Sequence, residues 1–245
     1  MSNGHLAVLG AGPGGYSAAF YAADQGYKVT LVDASDKLGG VCLHRGCIPS
    51  KALLHIAGLM TKVQQAKDWG IDFDNPKIDL RRLNKWKEGV VSKVSDGLAL
   101  LCKQRGITYV TGRGVFLGSN TIKISGGQSI TFDRCVIATG SRAVVPDQFN
   151  GSKSVIMDST KALALSSIPE KLLVVGGGYI GLEMGTVYSS LGSRVTIVEV
   201  KDGLLPGVDR DLVRPLQEKL TKEFKAIYLG TEIVSIRESG KSGHV

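Results

Sequence analysis

The chain has 245 residues, 43% hydrophobic and 21% charged, which is ordinary for a globular protein with room for one large or two medium cores. Its net charge of +8 does not point to nucleic acid: the densest basic run (Arg81, Arg82, Lys85, Lys87) falls on one helical pattern, and no zinc-finger, basic-zipper or RNA-binding motif accompanies it. No run of about 18 apolar residues marks a membrane span, no leader precedes the first strand, and four cysteines are too few for a secreted disulfide scaffold, so a cytoplasmic or organelle-matrix location is expected.

In chain order, His5–Leu9 reads as a short strand, 14–26 as a helix ending in glycine, and 28–32 as a second strand closed by Asp33. Together they form a βαβ unit. Long helical patterns follow over 47–69 and 79–105, separated by a turn at 72–76. From 107 to 139 short strands broken by Gly and Asn predict a β-meander. Pro146, Asp147, Asn150 and Gly151 mark a boundary, which divides the chain into domains 1–147 and 148–245. Beyond it the opening pattern recurs: a strand at 171–175, a helix at 179–191, a strand at 194–199, and a third strand near 227–236. The copies VLGAGPGGYSAAF and VVGGGYIGLEMGT lie about 166 residues apart, and a βα motif duplicated at that scale predicts two dinucleotide sites. The tail SGKSGHV reads as a flexible end.

In the first copy Gly10, Gly12 and Gly15 follow a strand, open a helix, and precede an acidic residue at the end of the next strand. The first glycine makes the tight turn, the second lets backbone N–H groups reach a pyrophosphate, and the third allows the helix to pack closely on the strand. The helix N-terminus adds partial positive charge, and Asp33 can accept from ribose hydroxyls. Gly176, Gly178 and Gly181 with Glu199 repeat the arrangement. A carboxylate at 199 favours NAD, because it binds free ribose hydroxyls and repels a 2′-phosphate.

Within GGVCLHRGCIPSK, Cys42 and Cys47 are separated by four residues and enter a long helix. No further ligands stand at zinc spacing, and His44 between them is a poor third ligand, so no metal site is expected. Reversible disulfide chemistry suits the pair better, because a thiol in the first helical turn has its thiolate favoured by the helix dipole. Cys102 and Cys135 read as buried apolar side chains, and His44 as an exposed loop residue.

GAGPGGYSAAF, GGVCLHRGCIPSK, IATGS and GGGYIGLEMG, in this order and spacing, resemble the flavoprotein disulfide reductases with two dinucleotide folds, the dihydrolipoamide dehydrogenases in particular. The resemblance covers essentially the whole chain. It implies an α/β fold of two Rossmann-like domains, the second incomplete, with the family's C-terminal interface domain absent. It implies FAD on the first domain, at Gly10, Gly12, Pro13, Gly14, Gly15, Asp33, Gly40, Val41, Gly114, Ala138, Thr139, Gly140 and Ser141. It implies NAD on the second, at Gly176, Gly178, Ile180, Gly181 and Glu199, with Tyr179 shielding the flavin.

By the same resemblance Cys42 is the interchange thiol and Cys47 the flavin-contacting one, with Lys51 near the flavin and paired to Glu183. The implied reaction is oxidation of protein-bound dihydrolipoamide, with electrons passing from the dithiol to FAD and then to NAD. Implied partners are the lipoyl domains of 2-oxoacid dehydrogenase complexes, or another disulfide, and a homodimer mate, with neither nucleic acid nor membrane. A mercuric- or glutathione-type reductase and a non-catalytic dinucleotide-binding fragment are the alternatives. Two departures stand out. The residues between the cysteines are Leu-His-Arg-Gly where the family usually has Leu-Asn-Val-Gly, and the chain ends before the family's His–Glu acid–base pair, so this chain alone is expected to be inactive.

Overall fold

The computed structural model describes residues 3–74, 76–149, 155–239 and 242–244. The chain divides into two compact units, one of residues 1–49 and 88–142, the other of 50–87 and 143–245. Asn150 and Gly151, part of the expected boundary cluster, lie outside the described residues.

The first unit opens with β1 (His5–Leu9), α1 (Pro13–Asp24), β2 (Lys28–Asp33) and α2 (Gly40–Arg45), and α3 (Cys47–Gln65) begins at its edge. It continues along the second half of α4 (Leu80–Gln104) into β3 (Thr108–Thr111), β4 (Gly114–Phe116), β5 (Thr121–Ile124), β6 (Ser129–Thr131) and β7 (Arg134–Ile137). The order β3-β2-β1-β7 makes one parallel sheet, while β4-β5-β6 makes a separate antiparallel one.

The meander expected over 107–139 is therefore smaller: its outer strands, β3 and β7, belong to the parallel sheet. Alternation along the strands explains why. Tyr109 and Val136 face a core with Tyr16, Ala19, Phe20 and Cys102, whereas Val110 and Cys135 face Ile122, Ile124, Ile130 and Phe132. Strands with apolar residues on both faces are stable only between two layers, here helices on one side and the small antiparallel sheet on the other.

The second unit takes in most of α3, a short 3₁₀ turn at Ala66–Trp69, the start of α4 and a 3₁₀ turn at Asp147–Phe149. It continues with α5 (Ser159–Ala164), β8 (Lys171–Val175), α6 (Tyr179–Ser190), β9 (Arg194–Val198), α7 (Arg210–Glu223) and β10 (Ala226–Tyr228). Strands β10-β9-β8 form a parallel sheet. Residues 50–87 belong here because Leu53 is buried with Leu163, Leu182, Val187, Tyr188 and Ile197, and Leu80 and Leu83 pack on the same cluster.

Side chains close the polar ends of this core. The Tyr188 hydroxyl donates to the Ala162 carbonyl at 2.9 Å, the Asn84 amide to Leu165 O at 3.1 Å, and the buried Lys87 ammonium to Leu163 O at 2.5 Å. Three backbone acceptors on buried residues at the end of α5 thus find partners.

The tail departs from expectation. Instead of a flexible end, β11 (Arg237–Ser239) pairs antiparallel with β12 (Ser242–His244), His244 opposite Arg237. Ladder hydrogen bonds, which composition does not reveal, hold this polar, glycine-containing segment.

Candidate functional site: two glycine turns and a cysteine pair

In the first unit β1 ends at Leu9, and the chain turns at Gly10 with φ +98°, a conformation that L side chains rarely adopt. A Cβ on Gly10 would also overlap the carbonyl of Ala138, so IATGS runs directly against the turn. The N–H of Ala138 donates to Leu9 O at 2.7 Å, and Thr139, Gly140 and Ser141 continue from it exposed. A Cβ on Gly15 would overlap Gly10 O, because α1 lies tight on the turn. Gly39, at φ +118°, donates to Ala11 O at 2.9 Å, and a Cβ on Gly40 would come within 2.6 Å of Gly12 Cα. Gly10–Gly15, Asp33, Gly40 and Ala138–Ser141 thereby converge at one end of the sheet.

Gly12 behaves differently from its neighbours. Its φ and ψ of −74° and −175° suit any residue, and a Cβ there would have only Gly40 Cα nearby, at 3.9 Å. Neither conformation nor packing requires glycine at this position.

The second unit repeats the contrast. Gly176 has φ +106°, and a Cβ on Gly181 would overlap Gly176 O and lie 3.0 Å from Val174. Gly178, at φ −78° and ψ 172°, has nothing within 4 Å of its Cβ position. Neither Gly12 nor Gly178 offers a side-chain cap to the helix it begins, and Pro13 and Tyr179 follow. By comparison, the Asp158 carboxylate caps α5 through the Lys161 N–H at 2.8 Å. The first turns of α1 and α6 lack any such side-chain acceptor.

Asp33 and Glu199 play matching parts. Asp33 Oδ2 accepts from Ala11 N at 2.6 Å and Oδ1 from Ser35 N at 2.8 Å; Glu199 Oε2 accepts from Gly177 N at 2.6 Å and Oε1 from Lys201 N at 2.7 Å. Each carboxylate therefore ties its glycine turn to the end of the following strand. This duty is additional to the ribose contact read from sequence, and each oxygen keeps a further lone pair. Tyr179 and Ile180 are exposed at the start of α6.

Gly114 stands apart from the turn residues. A Cβ there would lie 3.0 Å from Leu9 and from Ile122, so close packing between the two sheets accounts for this glycine.

Cys42 lies half-buried on α2, and Cys47, exposed, is the first residue of α3. The sequence predicts a loop here with His44 exposed; instead His44 lies on α2 and is half-buried, because local composition does not reveal its partner. That ring is not loose: its Nε2 lies 2.8 Å from Leu38 O, which also accepts from the Ser95 hydroxyl at 3.1 Å. A carbonyl only accepts, so Nε2 carries the proton. Cys102 is buried as expected, Cys135 only half-buried, and burial pushes both thiols above the usual thiol range. Among the described residues no cluster of His, Cys, Asp and Glu could hold a metal ion.

On α3, four residues beyond Cys47, Lys51 Nζ donates to Glu183 Oε1 at 2.7 Å, while the hydroxyl of the buried Ser50 donates to Glu183 Oε2. Sequence reading missed Ser50, although it sits in the quoted motif; only its burial reveals the role.

Residues 4–245 match the family model described as pyridine nucleotide-disulphide oxidoreductase. The chain belongs to this family. It is 44% identical over 234 residues to a dihydrolipoyl dehydrogenase of Vibrio parahaemolyticus, covering 94% of this chain and 49% of that protein. A dihydrolipoyl dehydrogenase 2 of Haloarcula marismortui is 42% identical, with 89% of this chain and 48% of that one covered. Among solved structures, the HOCl-induced flavoprotein disulfide reductase RclA from Escherichia coli superposes with a TM-score of 0.80 at 26% identity, over 97% of this chain and 51% of that one. The chain spans about half the length of the curated relatives it matches. Like the family's other members, it is built on α/β units with parallel sheets. No helix among the described residues is long and apolar enough to cross a membrane.

Proposed function

We propose that the chain carries the dithiol and the two dinucleotide sites of a dihydrolipoyl dehydrogenase, with FAD on the first unit and NAD on the second. The observation that carries this reading is the pair of glycines without an internal reason. Gly12 and Gly178 are free of backbone strain and of close neighbours, and each begins a helix whose first turn has no side-chain cap. A glycine that the fold does not need is accounted for by a ligand that must approach the backbone there. The uncapped N–H groups and the helix dipole favour that ligand's being an anion such as a pyrophosphate.

The residues fit the groups in detail. On the first unit Gly10–Gly15 would face the pyrophosphate, Asp33 the ribose, and Gly40, Val41 and Ala138–Ser141 the rest of FAD. On the second, Gly176–Gly181 and Glu199 would hold NAD, beside Tyr179. Bound FAD would supply the electron relay between the Cys42–Cys47 dithiol and the nicotinamide. The chain's own part is to hold the thiols: Cys47 exposed at the first position of a 19-residue helix, and Cys42 on the short helix before it as the thiol for exchange with substrate. The Lys51–Glu183 pair sits one helical turn along from Cys47. Dihydrolipoamide on a lipoyl domain is the proposed electron donor, and a homodimer the proposed assembly of the full-length protein.

FAD and NADH are titrated, by flavin and nicotinamide fluorescence, against the wild type, Gly12→Ala and Gly178→Ala. Gly12→Ala should weaken FAD at least tenfold and leave NADH alone, and Gly178→Ala should do the reverse. Unchanged affinities in both variants, or no binding by the wild type, would refute the reading.

A further inference from the structure

We propose that Arg45 is a specificity residue that makes the dithiol site prefer small aliphatic disulfides and dithiols carrying a carboxylate near the sulfur. The proposal rests on the redox-active reading of Cys42 and Cys47.

The short helix between the cysteines has two distinct sides. Leu43 is buried, and His44 is tied to the Leu38 carbonyl, which Ser95 holds from α4. With that side anchored, Val41 and Arg45, four residues apart, face outward together. Val41 is 44% exposed, Arg45 is exposed, and so is Cys47, two residues further on. Among the described residues Arg45 has no carboxylate partner and no hydrogen bond, so its charge is not already neutralised.

Arg45 lies three residues after Cys42 and two before Cys47, and it shares an exposed surface with Cys47, so among the described residues it is an unpaired cation close in sequence to both thiols. The helix that carries Cys42 thus also presents an exposed aliphatic side chain and an exposed cation, Val41 and Arg45. Its chemical complement is a sulfur on a short hydrocarbon chain ending in an anion. Arginine suits the task because its planar fork takes a carboxylate with two hydrogen bonds.

The exchange balances without further reagents. One protein thiolate attacks the disulfide, that S–S bond breaks, a mixed disulfide forms, and the first substrate thiolate leaves and takes a proton. The second cysteine then attacks the mixed disulfide, forming the Cys42–Cys47 bond and releasing the second thiol. The protein loses two electrons and two protons, and the substrate gains them.

The test is single-turnover exchange of the reduced chain with three probes, 3,3′-dithiodipropionate (anionic), bis(2-hydroxyethyl) disulfide (neutral) and cystamine (cationic). Each rate is measured for the wild type, R45Q and R45K. A unit charge about 6 Å from a carboxylate in water changes encounter with it roughly threefold. The anionic-to-neutral ratio should therefore fall roughly threefold in R45Q, the cationic-to-neutral ratio should rise, R45K should retain part of the preference, and about 0.5 M salt should erase it. Ratios unchanged in R45Q overturn the proposal. So does an equal fall of all three rates, which would place the effect on the thiols rather than on the substrate. Absence of exchange with every probe would overturn the dithiol reading itself, whereas exchange without charge preference would remove only the role of Arg45.

Discussion

Three alanine substitutions within four residues of the first glycine turn should have three different effects on stability. At Gly15 the new Cβ would overlap Gly10 O and lie 2.8 Å from Gly10 C, and both obstacles are backbone atoms of a strained turn. Neither can move without displacing Gly10, whose own position is fixed against Ala138. Forced overpacking of this kind costs about 1–3 kcal/mol, and rigid backbone obstacles place it at the upper end. At Gly14 the added methyl would lie 3.8 Å from Ala138 Cβ, an ordinary contact, inside the first turn of α1. There the gain in helix propensity, at most about 1 kcal/mol, is unopposed. At Gly12, the N-cap with its nearest neighbour 3.9 Å away, exchange of Gly for Ala meets no obstacle and should cost only the lower N-cap preference of Ala, about 0.5–1 kcal/mol. Urea unfolding of the cofactor-free chain, followed by circular dichroism, separates the three. With a slope of about 1–3 kcal/mol per molar, Gly15→Ala should lower the midpoint by roughly 1 M, Gly14→Ala should raise it slightly, and Gly12→Ala should lower it by only a few tenths of a molar. A midpoint for Gly12→Ala as low as that for Gly15→Ala would mean that Gly12 has a structural duty.

Tyr188→Phe should cost roughly 1–3 kcal/mol in the same unfolding measurement, because it leaves the buried Ala162 carbonyl without its 2.9 Å donor. Burial raises the Tyr188 hydroxyl above the ordinary phenol value, so the neutral form is favoured by folding; its contribution is present below about pH 10 and is lost as pH rises through the raised value. The variant's stability should accordingly fall less steeply above pH 10 than the wild type's. Lys51→Met should change stability by less than about 1 kcal/mol, because the Lys51 side chain is 62% exposed, and a larger shift in the midpoint would mean the pair is structural. Iodoacetamide at pH 8, read by peptide mass spectrometry, should label exposed Cys47 at least tenfold faster than Cys102, whose thiol is both buried and raised in pKa.

The parts of the fold that follow a period were legible in the sequence. The strands at His5–Leu9 and Lys171–Val175 and the helices behind them follow apolar patterns and glycine punctuation, and they fall where expected within a residue or two. The parts that depend on partners were not. Nothing local distinguishes β3 and β7 from meander strands: that they join a parallel sheet depends on Leu31 and Leu9, roughly 80 and 130 residues away in sequence, offering free ladder positions. The helix between the cysteines is short and contains no apolar period, so GVCLHR reads as a loop until the His44 tether to Leu38 is seen. Ser50 lacked any sign of its burial against Glu183, because the contact joins residues 133 positions apart.

The glycines themselves divide into two kinds that the motif alone does not separate. Gly10, Gly15, Gly176 and Gly181 are explained by the chain, through positive φ or through atoms that a methyl group would strike. Gly12 and Gly178 are not explained by the chain, although both occupy the middle position of their turns. Two separate units thus share the same unexplained position, and in both an acidic side chain ties the neighbouring N–H, Ala11 to Asp33 and Gly177 to Glu199, at the same 2.6 Å. With that donor engaged, the N–H groups left over are those at the start of α1 and α6, where no side chain of the helix reaches. Each turn therefore leaves uncapped donors beside the glycine whose side is open, so an anion docking there would find them and the space above them together.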